Sequence, residues 1–302
     1  MDPCLTDRPR LAVGVVGAGR VGAVLGAALL RAGHDLVAVS AVSAGSRARA
    51  ADLLPGVPVV PVEQVLADAS LVLLTVPDDA LTGLVEGLAV TGAVQRGQLL
   101  AHTSGRHGLT VLEPAVREGA LPLALHPVLP FAGTRVDLER LTGTAFGVTA
   151  PDPLRPIAEV LVVEMGGEPV WLTEDQRPLW HAALAHGANH LTTLVASSAD
   201  LLRTAGVEHP GQVLGPLLGA ALDGALRSGD AALTGPVARG DAGTVRAHLE
   251  VLAAVAPEVL PTYVAMARLT ADRALASGRL DADRAWALLE VLATPPSGRV
   301  PQ

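Results

Sequence analysis

Gly17, Gly19 and Gly22 stand in the spacing G-x-G-x-x-G, within Gly17-Ala18-Gly19-Arg20-Val21-Gly22. That spacing could hold a pyrophosphate. The first glycine permits a tight turn, the second lets the backbone approach an anion with no Cβ in the way, and the third lets a helix pack close to a strand. N–H groups at the start of the following helix, those of Arg20 and Val21 among them, would face the phosphates, aided by the helix dipole. The spacing alone is weak evidence, and its flanks strengthen it. An apolar run at 11–16 precedes it, an apolar-periodic segment follows, and a second strand-like run at 35–40 comes at the distance of a βαβ unit.

The residues after that second run bear on which dinucleotide is bound. An NAD site places a carboxylate there for the ribose hydroxyls. Here the stretch from Val39 to Arg49 has no carboxylate; it has serines and arginines. A 2′-phosphate wants hydroxyl donors and a guanidinium fork. The stretch therefore points to NADP, with Ser43, Ser46 and Arg47 as contacts. The alternative puts Arg47 on the solvent face of the next helix, and Arg49 is expected on that face. Thr75-Val76-Pro77 follows another apolar run and would flank the nicotinamide ribose by backbone contact.

Histidine is the only side chain whose unperturbed pKa lies near neutrality, and the chain has nine of them and no lysine. His102-Thr103-Ser104-Gly105 ends one strand-like run and suits a substrate or nicotinamide contact; alternatively it is a capping turn with Ser104 as cap. His126 ends another run and is pinned by Pro127. Trp180-His181-Ala-Ala-Leu-Ala-His186-Gly-Ala-Asn189-His190 lies on a helical stretch. Asn189, the only asparagine, is costly on an apolar helix without a partner, and His181 lies about two turns before it. His186 and His190 have a spacing that could bind a metal, but no glutamate follows His186 and no third ligand is evident, so no metal site is expected.

These residues need a frame. Strand-like runs occur at 11–16, 35–40, 57–60, 70–75, 98–102, 121–126, 146–149 and 168–172, with helical segments at 20–32, 46–53, 61–67, 79–88, 109–118 and 154–165. This alternation predicts an α/β, doubly wound Rossmann-type sheet. From Thr173 the alternation ends. Thr173-Glu174-Asp175-Gln176 reads as a helix start, and helical stretches follow at 175–204, 212–228, 242–255, 258–276 and 282–292. The expected domains are 1–173, dinucleotide-binding, and 174–302, all-helical, for substrate and dimerisation. So apolar a helical half suggests a homodimer.

The bulk numbers exclude other classes. The 302 residues are 50% hydrophobic and 17% charged, with a net charge of −8. With no basic surplus, no nucleic-acid partner is expected. The single cysteine, Cys4, excludes an intramolecular disulfide. The N-terminus shows no apolar signal-peptide region, and no run has the length of a membrane helix, so no membrane association and a cytoplasmic location are expected.

Taken together, the N-terminal half resembles the Rossmann domains of the 6-phosphogluconate dehydrogenase-like superfamily, which includes ketopantoate reductase and pyrroline-5-carboxylate reductase. It is more closely similar to Rossmann-like oxidoreductases with a C-terminal domain of unknown function, DUF2520. That likeness rests on His102 to Gly105, on Leu125-His126-Pro127, on Trp180-His181-Ala-Ala…Asn189 where the family has Tyr-His-Ala-Ala…Asn, and on Leu233-Thr234-Gly235-Pro236-Val-Ala-Arg239-Gly240-Asp241. It spans about residues 10–275. The replacement of the family's tyrosine by Trp180 removes a hydroxyl. The resemblance implies a dimeric NADP-dependent oxidoreductase acting on a small molecule, of which a 2-oxo acid such as ketopantoate, or an imine, is a candidate. Lysine-bearing relatives polarise a carbonyl with Lys and Asn on this helix. Without lysine, the proton donor falls to His126 or His181, with Asn189 orienting the carbonyl or imine. Arg239, with Thr234 of the same motif, would hold a substrate carboxylate; alternatively, an Arg239–Asp241 pair staples a loop. The alternative function is a non-catalytic dinucleotide-binding regulatory or scaffold protein.

Overall fold

A computed structural model describes residues 10–293; Cys4 and the stretch 294–302 lie outside the described residues. Two compact units divide the chain, Met1–Gly187 and Ala188–Gln302. The division falls inside a long helix, beyond residue 173, where the sequence texture changes.

The first unit holds seven strands: β1 (Ala12–Val16), β2 (Asp35–Ser40), β3 (Leu71–Leu74), β4 (Leu99–His102), β5 (Leu121–Pro127), β6 (Ala145–Thr149) and β7 (Glu168–Trp171). They form one sheet in the order β2-β1-β3-β4-β5-β6-β7. The first five are mutually parallel; β6 runs antiparallel to β5, and β7 follows β6 in parallel. The run at 57–60 does not become a full strand. It contributes one bridge, Val39 to Val59, because Pro58 within it and Pro61 after it leave too few N–H groups for a ladder.

Seven helices cover this sheet: α1 (Arg20–Arg31), α2 (Ala44–Leu53), α3 (Val62–Ala67), α4 (Asp78–Val90), α5 (Glu113–Arg117), α6 (Arg135–Arg140) and α7 (Arg155–Glu164). Alternation along each strand sends side chains to opposite layers. Val13, Val15, Leu71, Leu73, Leu99 and Ala101 pack with Leu25 and Leu29 of α1 and Leu161 of α7. Val72, Leu74 and Leu100 pack on the other face with Val65 of α3 and with Leu81 and Val85 of α4. Both faces are buried, which is why these strands read as unbroken apolar runs.

α8 (Arg177–Thr204) begins in the first unit and continues into the second. There α9 (Pro210–Ser228), α10 (Gly235–Arg239), α11 (Ala242–Val255), α12 (Leu260–Ala276) and α13 (Ala282–Ala293) follow. Val245, Leu249, Val264, Ala271, Leu288 and Leu292 form their core. No helix among the described residues is long and apolar enough to cross a membrane. The architecture is a Rossmann-type α/β unit followed by an all-α unit.

Candidate functional site

Because β1 leads to β2 on one side and the chain then crosses to β3 on the other, the sheet has its topological switch between β1 and β3. A crevice at the carboxyl ends of these strands is where such sheets bind ligands. The three glycines lie there, and each is required for a different reason. Gly17 has φ of 95°, a left-handed conformation that other residues rarely adopt. A Cβ on Gly22 would fall on the Gly17 carbonyl and on Thr75 Oγ1. Gly19 is different: its backbone is extended, and a Cβ there would meet only the Gly17 carbonyl, at 3.9 Å. Nothing in the fold requires a glycine at 19, so the space in front of it is left for something outside the chain.

The corner is tied down from both neighbouring strands. Thr75 Oγ1 donates to the carbonyls of Val16 (3.1 Å) and Gly17 (2.6 Å), so its hydroxyl is committed to the turn. On the other side, Ser40 Oγ accepts the Gly17 N–H at 3.0 Å, and the Ser40 carbonyl accepts that of Ala18. Ser40 was not singled out from sequence; a buried serine at the end of an apolar strand was the available signal. α1 has no side-chain cap and no acid in its first turn. The N–H groups of Arg20, Val21 and Gly22 take no acceptor among the described residues. Such a helix start is suited to an anion.

The residues expected at a 2′-phosphate divide into two groups. Ser43 caps α2 by accepting the Ser46 N–H at 3.0 Å, and Ser46, which is buried, donates to the Ser43 carbonyl at 2.9 Å. Both hydroxyls therefore serve the helix start. Arg47 is exposed, and its guanidinium reaches the Ala41 carbonyl at 3.4 Å. Arg49, expected on the solvent face, is instead partly buried. Its Nε is buried without a partner. Its guanidinium folds back to within 3.7 Å of where a Cβ on Gly45 would stand, and its Cδ lies with Arg20 against Gly133. Asp137 Oδ2 caps that turn through the Gly133 N–H at 2.7 Å, while its Oδ1 is likewise unpartnered. Arg20, Arg47 and Arg49 form no ion pair with a carboxylate among the described residues. Free amides at α1, an open Gly19 and an orphaned guanidinium N–H fit a dinucleotide.

Further along the same edge, two expected contacts prove to be internal. His102 is fully buried. Its Nε2 donates to the Gly108 carbonyl at 2.8 Å, and its Nδ1 accepts the Ser104 N–H at 3.2 Å. Burial lowers its pKa to about 3, so the ring is neutral and both nitrogens are used in shaping the loop. Ser104 Oγ accepts the His107 N–H at 3.2 Å, the capping turn that was the alternative reading. The His102 ring has no nitrogen left over for a ligand, whereas the Ser104 hydroxyl keeps its own donor. Val76 and Pro77 follow β3 as expected, and Pro77 is the residue from which α4 starts.

His126 and His181 are brought together. Their rings meet edge to face, with centroids 5.9 Å apart. Gly105 makes room for both: a Cβ there would stand 2.6 Å from His181 Cδ2 and 2.8 Å from His126 Nε2. Trp180 Nε1 donates to His126 Nδ1 at 3.1 Å. Beneath them Arg177 is fully buried. It donates to Thr149 Oγ1 (2.7 Å) and to the carbonyls of Ser104 (3.0 Å), Ala124 (2.8 Å) and Gly147 (2.9 Å). The guanidinium thus clamps the loop after β4 to β5 and β6 beside the histidines. Burial, His181 and Arg177 together lower the His126 pKa to about 4, against a smaller opposing effect of Asp78. His126 is therefore neutral near pH 7. Three strand spacings separate β1 from β5, about 14 Å.

The remaining candidates lie in the second unit. Asn189 is exposed on α8, so the desolvation argument for a partner does not hold in this chain. Thr234 and Arg239 are also exposed. Their motif is explained by backbone geometry: Thr234 precedes α10, Gly240 ends it with φ of 71°, and Asp241 caps α11 by accepting the Thr244 N–H at 3.0 Å. A Cβ on Gly240 would clash with Leu280 and Arg284. No Arg239–Asp241 ion pair forms among the described residues. Among the described residues, no cluster of three or more His, Cys, Asp or Glu could hold a metal.

No curated protein matches the sequence. Among solved structures, a proposed NADP oxidoreductase of Bacteroides fragilis superposes with a TM-score of 0.74 at 21% identity, over 87% of this chain and 98% of that one. A Thermotoga maritima protein gives 0.65 at 18% identity, over 88% and 100%. The pyrroline carboxylate reductase of Plasmodium falciparum, solved with NADP bound, gives 0.55 at 12% identity, over 89% and 98%. At such identities these likenesses concern the fold. Family models match a Rossmann-like domain at residues 4–127 and the domain of unknown function DUF2520 at residues 144–270. The chain belongs to the Rossmann-like proteins with a C-terminal DUF2520 domain.

Proposed function

We propose that this protein is an oxidoreductase dependent on a nicotinamide dinucleotide, NADP in preference to NAD, acting on a small 2-oxo acid or imine. The observation that carries the reading is the Gly17–Gly22 corner, with its unpartnered amides and a Gly19 that the fold itself does not need. The preference for the phosphorylated cofactor is supported by Arg47 and Arg49 on α2 and by the lack of a carboxylate after β2. The names of the Bacteroides and Plasmodium neighbours agree with it.

When bound, the nicotinamide supplies or accepts the hydride. The chain's own groups do the rest. The first-turn amides of α1 hold the pyrophosphate. Backbone at Thr75 to Pro77 limits where the ring can lie. Neutral His126 offers an N–H to the carbonyl or imine, and His181 beside it is the proton donor. Arg177 ties the start of α8, which carries His181, to β5 and β6 beside His126. The apolar side chains of α9 left exposed, Val213 and Leu217 on one side and Leu222 and Leu226 on the opposite side, support a homodimer, since exposed apolar surface of this kind calls for a partner.

The test is a panel of small 2-oxo acids and cyclic imines followed at the NADPH absorbance band. Turnover of at least one, abolished in His181→Ala with NADPH binding intact, is expected. NADPH binding without turnover of any compound would favour the non-catalytic alternative.

A further inference from the structure

We propose that Trp180 is a positioning residue that sets the tautomer of His126, placing the ring proton on Nε2 and making the imidazole a neutral hydrogen-bond donor toward the substrate. The inference rests on the oxidoreductase reading for its purpose, and on the geometry alone for the tautomer.

An indole N–H can only donate. At 3.1 Å from His126 Nδ1, it requires a lone pair there, so the single proton of the neutral ring must sit on Nε2. Adding a second proton at Nδ1 would set two donors against each other and break the bond. The indole is held in position to do this. Gly147 on β6 lies beneath it, where a Cβ would stand 3.0 Å from Trp180 Nε1, and Arg177, one turn before Trp180, anchors the start of α8 to the Gly147 carbonyl. The groups that face the ring act on the same protonation state. His181 and the Arg177 guanidinium disfavour a cation on His126, while Asp78 opposes them. The Nε2 edge packs close to Gly105, where a Cβ would stand 2.8 Å away, so only a residue without a side chain leaves that nitrogen unblocked.

The arrangement assigns different tasks to the two histidines. A neutral N–H donor can polarise a carbonyl or imine without transferring its proton. His181 is left to deliver one. It also gives the residue at 180 a role that needs an N–H or O–H rather than an aromatic ring alone.

The test is ¹⁵N–¹H long-range correlation NMR of the uniformly labelled full-length protein, with His126→Asn to assign the ring signals. The wild type is expected to show His126 as the Nε2–H tautomer from pH 8 to pH 5. In Trp180→Phe that signature should give way to a mixture, with the titration midpoint raised by about one pH unit, the effect of one hydrogen bond. Trp180→Tyr, which retains an O–H donor, should restore part of the wild-type spectrum. An Nδ1–H tautomer or an imidazolium in the wild type at pH 7 overturns the proposal, and this needs no variant to fold. A Trp180→Phe spectrum identical to wild type also overturns it. NADPH binding is measured on the same samples: its absence in the wild type sinks the oxidoreductase reading while leaving the tautomer result standing.

Discussion

Replacing Arg177 by methionine removes four hydrogen bonds from one fully buried side chain and strands their acceptors. Those acceptors are Thr149 Oγ1 and the carbonyls of Ser104, Ala124 and Gly147. A buried acceptor left unsatisfied costs about 1–3 kcal/mol. Methionine fills much of the volume, and Thr149 keeps its bond to the Leu172 carbonyl. Removing the guanidinium also ends its desolvation cost. The balance is a loss of about 4 kcal/mol, near the upper end for single substitutions. In a unit of this size that lowers the melting temperature by about 10 °C, measurable by calorimetry or circular dichroism. A second effect is specific to this geometry. With the positive charge gone, His126 should protonate more readily, so its NMR titration midpoint should rise from about 4. Arg177→Lys should recover only part of the stability, because an ammonium has three donors and no planar fork. A loss below about 1 kcal/mol, or an unchanged His126 titration, would refute the clamp.

Other expectations follow from the same coordinates. Gly22→Ala drives a methyl into Thr75 Oγ1 and the Gly17 carbonyl, so it should cost about 1–3 kcal/mol by overpacking, read in urea denaturation. Arg49→Met should weaken NADPH at least about tenfold, or 1.4 kcal/mol, and leave NADH nearly unchanged; equal losses would exclude a phosphate role. Stability should decline as pH falls from 6.5 toward 4, because the unfolded chain takes up protons that buried His126 and His102 refuse. For His126 this amounts to about 3 kcal/mol, fully present above 6.5 and gone below about 4, and His126→Asn should flatten that part of the acid limb. Val213→Arg with Leu217→Arg, four residues apart on one exposed side of α9, should convert a dimer to monomer in light scattering without lowering helix content.

The sheet was legible because parallel strands buried on both faces read as apolar runs, and seven of the eight expected runs pair in it. The exception, 57–60, fails for a reason visible in the prolines within and after it, Pro58 and Pro61. Two short helices went unseen. α6 is announced by a capping box, Thr134 with Asp137, that uses Asp rather than Glu; α10 is five residues between glycines, too short for a period. The glycine corner was readable because each glycine answers a backbone demand. Arg177 was not readable, because an arginine near a helix start looks like surface and nothing in its spacing reveals burial. The histidines show the same limit. His102 and His126 both end strands, yet one is consumed by its own loop and the other lies partly open beside Trp180 and His181. Only the path of the intervening loops distinguishes them.

The most direct test of the account is a calorimetric titration of NADPH into the wild type and into Gly19→Val. Position 19 has extended backbone and open space before it, so the substitution should leave the melting temperature within about 1 °C, as for a surface change. The account predicts NADPH binding in the wild type and at least about a tenfold loss in Gly19→Val, where the side chain stands in the path of the phosphates. No heat with the wild type, or equal affinity in the variant, would contradict it.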